Sequence, residues 1–217
     1  MHKPNNLLES DVQDELDWDP QLNDSRIVVK AAEGVITLSG AVDTYSDSLC
    51  ACEDAWRVSG VKDVENDLLV GPIGEAVVDV EIATDCLTAL DADKVVPDGA
   101  VTVDVSDGWV TLHGQVKRHY QRKAAEHAVE RVDGVLGVSD EIVIAPDPTP
   151  DNVADLINKA FARNAIIDES QIKVSSDGST VYLDGSVSSW TAMQTAMTTA
   201  WNAPGVTSVV NRLEIIL

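Results

Sequence analysis

Residues 117–123, KRHYQRK, hold four basic side chains in one short run. Lys117, Arg118, Arg122 and Lys123 carry the donors that recognise phosphate or carboxylate oxygens, since guanidinium forks and ammonium groups form charge-assisted hydrogen bonds to them. The run opens a helix, so the unpaired amides of its first turn would add donors for the same anion. Exposed positive charges at that end of a helix cost roughly 0.3–1 kcal/mol each. Helix stability alone therefore does not place them there. Three readings follow: an anion site for a lipid headgroup, a phosphate or an acidic patch; salt bridging between modules or subunits; or a solvated face on which Arg122 and Lys123 pair with Glu126 one turn on.

Other chemistry finds less support. A metal held by His113, His119 and His127 would need donors converging at about 2.0–2.1 Å. His113 precedes a glycine in a strand, while His119 and His127 stand two helical turns, about 12 Å, apart. No metal site is expected. Cys50, Cys52 and Cys86 form an odd set with no CxxC pair, which predicts reduced thiols and no disulfide framework. Cys50 and Cys52 point in different directions from one helix, and Cys86 falls on an apolar stripe. The chain has no GxxxxGK[ST], no strand-linked GxGxxG, no GxSxG and no HExxH. The carboxylates are too numerous to single out a pair. A non-enzymatic protein without a cofactor is expected.

Lys and Arg number 15 against 37 Asp and Glu, a net charge of −22. With 44% hydrophobic residues the chain is globular and strongly acidic. That charge repels nucleic acid and anionic surfaces beyond a screening length of about 8–10 Å. No nucleic-acid partner is expected, and only the basic run could approach an anion. The start MHKPNNLLESDVQDEL lacks the order of a secretory signal, and nothing approaches 18 consecutive apolar residues. These features predict a cytoplasmic protein with no transmembrane segment.

The elements that must position these residues come in three copies. TLSGAV ends at Val42, TLHGQV at Val116 and YLDGSV at Val187, which aligns Gly40, Gly114 and Gly185. Twenty residues after each stands Gly60, Gly134 or Gly205. Thirteen residues before the first glycine stand Ile27, Val101 and Ile172, and eleven before those Leu16, Leu90 and Phe161. Four landmarks at one spacing establish a duplication. The copies span 1–74, 75–147 and 148–217, with turn-rich joints GPIG at 71–74 and APDPTP at 145–150.

Each copy repeats one order of periodicities. Leu8, Val12 and Leu16 form an i, i+4, i+8 stripe, matched by Ile82, Cys86, Leu90 and by Val153, Ile157, Phe161, which predicts an amphipathic helix. Val101, Val103 and Val105 alternate with polar residues, and Val110 and Leu112 resume after a turn, which predicts a hairpin. Ala51, Ala55 and Val58, like Ala125, Val129, Val132 and Ala196, Ala200, Ala203, predict a second helix lying close to a sheet. The glycine after it suits a helix C′ position. A last strand runs through 64–70, 138–144 and 209–215. The fold class is α+β: three tandem α-β-β-α-β modules, each a three-stranded mixed sheet packed against two helices. A core of about 70 residues is marginal alone, so packing between modules is expected. Trp56 and Trp201, equivalent to Glu130, either cap a module core or form a docking surface.

The pattern GWVTLHGQV, then YQRKAAEHAVERVDGVLGV, then a short apolar strand, resembles the BON domain of bacterial osmotically inducible and nodulation proteins, in three tandem copies. Gly40, Gly60, Gly114, Gly134, Gly185 and Gly205 are its structural markers. A KH domain is similar in outline but needs a GXXG loop and a basic face, and both are missing. The resemblance implies a non-enzymatic module, found in osmotic-shock proteins, in envelope proteins that bind phospholipid and in a cytoplasmic potassium-binding protein. It implies an osmotic or envelope-stress setting with an anionic phospholipid or other anionic envelope ligand. Its alternative is a potassium-responsive or protein–protein interaction scaffold.

Overall fold

The structure is a computed structural model that describes residues 3–22, 24–71, 78–145 and 149–216. The helices and strands run, in order, α1 (Asn5–Trp18), β1 (Ile27–Ala32), β2 (Val35–Val42), α2 (Tyr45–Arg57), β3 (Asp63–Val70), α3 (Asp79–Ala92), β4 (Val101–Ser106), β5 (Trp109–Val116), α4 (His119–Val129), β6 (Gly137–Ile144), α5 (Val153–Phe161), β7 (Ile172–Asp177), β8 (Thr180–Val187), α6 (Trp190–Trp201) and β9 (Ser208–Ile215). They give the α-β-β-α-β order three times, with three-stranded sheets ordered β1-β2-β3, β4-β5-β6 and β7-β8-β9. β1 runs antiparallel to β2 and β3 parallel to it, and β7, β8 and β9 repeat this. By compactness the chain divides into Met1–Gly114 with Lys123–Ile142, and Gln115–Arg122 with Val143–Leu217. Residues 72–77 and 146–148, which include 72–74 of the first joint and 146–148 of the second, lie outside the described residues.

In the first unit, Leu8, Val12 and Leu16 are fully buried against Ile36 and Leu38 of the central strand and Ala51 and Ala55 of α2. The alanines explain the close approach: without a γ-carbon, α2 lies directly on the sheet. Ile82, Cys86 and Leu90 repeat the first stripe, and Ala125 and Val129 the second. In the second unit Val153, Ile157 and Phe161 pack with Val181, Leu183, Ala196 and Ala200. The opposite face of each sheet is more polar; Thr37 donates to Glu65 there, and His113 lies 3.3 Å from Asp104 and 3.1 Å from Glu141.

The landmark glycines do two different jobs. Gly40, Gly114 and Gly185 sit within the second strand at φ +120°, +146° and +127°, and a Cβ there would meet a backbone carbonyl oxygen at 2.0–2.1 Å. Gly60, Gly134 and Gly205 are not the helix C′ residues that the spacing predicts. The helices end earlier, at Arg57, Val129 and Trp201. Each glycine is instead the third residue of a β-turn, closed by Val61 N–H to Val58 C=O and its two counterparts, with φ +107°, +85° and +78°. A type II turn requires positive φ at that position. The turn drops Val61, Val135 and Val206 into the core, and it leaves Val58, Val132 and Ala203 beyond the helical stripe.

Candidate functional site

The basic run begins α4 as the spacing predicts. The other second helices open on side-chain caps: Thr44 and Asp47 form a reciprocal capping box on α2, and Ser189 accepts from Ala192 N–H on α6. In α4 the residue before the helix is Arg118. Gln121 compensates, its Oε1 accepting from the backbone amides of Lys117 and Arg118, each at 3.1 Å. That is the back-reaching half of a capping box. It leaves the Lys117 and Arg118 side chains exposed. Lys123 is exposed and pairs with Glu126, as the solvated-face reading expects.

Arg122 and His119 are placed otherwise. Within the second unit, His119 stacks on Trp201 at 4.0 Å between ring centroids and 10° between planes, and the Arg122 guanidinium carbon lies 5.1 Å from the same ring. Trp201 also packs against the third module's core, so it does both tasks that its sequence position allowed. Such stacking is worth about 0.5–1.5 kcal/mol. His119→Ala should lower stability by that amount in urea unfolding and shift Trp201 emission to the red; an unchanged midpoint would show the stack contributes nothing.

The equivalent positions in the first unit are Tyr45 and Glu130. Tyr45 hydrogen-bonds the Val138 backbone, and burial followed by the nearby Glu130 and Glu126 raises its pKa. Glu130, which stands where the other copies have tryptophan, is pushed up to about 7 by burial first, then by Glu126 and Glu53, against Lys123 and Arg131.

A second constellation lies in the first module. Asp19, just past α1, accepts Gln21 N–H on Oδ1 at 2.8 Å and the Cys50 thiol on Oδ2 at 3.3 Å. Asp54, one turn after Cys50 on α2, is fully buried; Oδ1 pairs with Arg57, and Oδ2 has no hydrogen-bond partner among the described residues. Donor atoms of Asp19, Cys50 and Asp54 all lie within 4.8 Å of one another. Asp19 and Asp54 also line a cavity of about 230 Å³, together with Glu15, Trp18, Pro20 and Arg57. Burial pushes the Cys50 thiol up to about 12, with the bond to Asp19 adding to it, and burial pushes Asp54 up to about 6 against the pull of Arg57. Sequence reasoning weighs Cys50 against Cys52 and passes over Asp54. The signal was the i, i+4 spacing, which puts Cys50 and Asp54 on one helical face.

A BON domain family model matches residues 5–72, 78–146 and 150–216. The chain is similar to osmotically-inducible protein Y of Escherichia coli (strain K12), 34% identical over 121 residues. That match covers 54% of this chain and 60% of the relative. Among solved structures it is similar to CdsD, a structural protein of the type III secretion system of Chlamydia trachomatis, at a TM-score of 0.27 and 13% identity over 97% of this chain and 92% of that one. The PrgH periplasmic domain matches at 0.22 and 10% identity, over 94% of this chain and all of that one. Likeness at these TM-scores carries no argument about arrangement. The family assignment rests on the three matches along the sequence, which coincide with three α-β-β-α-β modules built around the same strand glycine: the chain belongs to the BON domain family.

Proposed function

We propose that the protein is a non-enzymatic binding protein of tandem BON modules, serving in the response to osmotic or envelope stress, that takes an anionic ligand, foremost a phospholipid headgroup, at the start of α4. The stress setting is supported by the similarity to osmotically-inducible protein Y. The observation that carries the ligand class is the exposed pair Lys117 and Arg118, held at the head of a helix by Gln121, in a chain of net charge −22. Lys123 extends the basic run on the helix, and Arg122, against Trp201, contributes less.

Co-flotation with neutral and anionic vesicles, at low and physiological salt, tests this. Binding should require anionic lipid, weaken with salt, and fall at least tenfold in a Lys117→Glu, Arg118→Glu, Lys123→Glu variant. Reversing Arg122 as well should add little. Flotation unaffected by the triple reversal, or none under any condition, would retire the reading.

The alternative, a cytoplasmic scaffold or potassium-responsive protein, draws on Arg122 and His119 packing against Trp201, which is the role of an internal joint. Thermal midpoints that differ between matched potassium and sodium salts would favour an ion response; equal midpoints would leave the scaffold.

A further inference from the structure

We infer that the cleft between α1 and α2 of the first module binds a borderline divalent metal ion of the zinc class, held by Asp19 Oδ2, the Cys50 sulfur and Asp54 Oδ2. Three observations converge on this. A carboxylate oxygen of Asp19, one of Asp54 and the Cys50 sulfur already lie within 4.8 Å of one another, so side-chain rotations alone would bring them to the roughly 3.3–3.7 Å separations that tetrahedral bonds of about 2.0–2.3 Å impose. Asp54, which lines the cavity, has a fully buried Oδ2 with no hydrogen-bond partner among the described residues. An unpaired buried carboxylate oxygen is costly, and a cation in the adjoining space would satisfy it. Arg57 already occupies Oδ1, so the orphan atom is the one left to a ligand.

The other modules supply an internal control. The cleft recurs in the second module, lined by Ala89, Ala92, Asp93, Ala124, His127, Ala128 and Arg131, with a volume of about 480 Å³. There Cys50 and Asp54 are replaced by Ala124 and Ala128, and in the third module by Thr195 and Thr199. The cleft is thus shared by the first two modules, while the donor set of Asp19, Cys50 and Asp54 belongs to the first. The Asp19 counterparts show what that residue does without a metal: Asp93 and Asn164 each accept the backbone amide two residues on, as Asp19 accepts Gln21. That turn needs only Oδ1. Asp19 Oδ2 and its bond to Cys50 are additional.

The donor set selects the ion. Calcium and magnesium need six or more oxygens, whereas one sulfur and two carboxylates suit zinc or cobalt with a fourth position left to water. On binding, the Cys50 S–H bond breaks, a metal–sulfur bond forms, and the proton leaves to solvent. No electron is transferred.

The test is cobalt(II) titration of the full, reduced, metal-stripped chain, read by the thiolate-to-cobalt charge-transfer band in the near ultraviolet. One equivalent should develop the band, and zinc should abolish it. The band should vanish in Cys50→Ala and weaken at least tenfold in Asp54→Ala, the residues the second module carries at these positions. Asp19→Asn keeps the turn, as Asn164 does, and should weaken binding too. Cys52→Ser and Cys86→Ser should leave it unchanged. Circular dichroism of each variant separates lost binding from lost fold. No band at any cobalt concentration, or a band that survives Cys50→Ala, would overturn the assignment.

Discussion

Gly40→Ala is expected to destabilise the protein by about 3 kcal/mol or more in urea unfolding, a large share of a small domain's stability. Two costs combine. The residue has φ +120°, which an L side chain rarely adopts, and its Cβ would lie 2.0 Å from the Arg26 carbonyl oxygen. The obstacle is backbone, so no rotamer relieves it. Nor can β2 retreat, because it is the central strand and pairs with β1 through Ile27 and with β3 through Leu68 at this residue. Gly99→Ala separates the two costs. Gly99 has φ +66° but, among the described residues, nothing within 4 Å of an added Cβ, so only backbone strain of about 1 kcal/mol applies. Equal effects of the two substitutions would show that the close approach at Gly40 is not what the residue serves.

Stability should fall as pH rises from about 4.5 to about 7, with Glu130 as a principal cause. Its carboxyl has a raised pKa in the folded protein, so the folded state keeps the proton over a range where the unfolded chain has released it. Proton uptake by the folded state favours folding at the acid end, and that advantage is lost through the window, the full cost standing above pH 7. Because Glu130 is partly exposed, solvent screening reduces the effect to about 2 kcal/mol. Its charged neighbours are Glu126, Glu53, Lys123 and Arg131, with Tyr45 beside it. Glu130→Gln should therefore raise stability at pH 8 by about 2 kcal/mol, change it little at pH 5, and flatten the profile between. Parallel profiles for the two proteins would dismiss Glu130 as the titrating group.

Much of the fold was legible because local periodicity reports which face of an element is buried. The stripes at Leu8, Val12, Leu16 and their counterparts are all buried, and the alternation around Val101–Val105 is the β4–β5 hairpin. The second glycine of each repeat was legible in position and misread in role. Spacing shows that a glycine is required, but a helix cap and a type II turn both require positive φ, and only the helix end distinguishes them.

The candidate sites divide along the same line. The basic run is contiguous, so composition alone displays it, and its exposed members Lys117, Arg118 and Lys123 follow from one helix start. That Arg122 lies against Trp201 could not be read from the run, because the ring comes from a helix about 80 residues on. The first-module cleft was equally hidden: Cys50 and Asp54 are one turn apart, but Asp19 joins them only when α1 and α2 pack together.

By itself, then, the sequence determined the threefold repeat, the order of elements, the core stripes and the acidic character. These depend on neighbours in the chain and on the periods of helix and strand. Tertiary structure alone decided which carboxylate is buried without a hydrogen-bond partner, which glycine abuts a carbonyl and which basic side chain is committed to a ring. Each depends on a distance of a few ångströms between segments far apart in the chain, and polar and steric energies change over that scale.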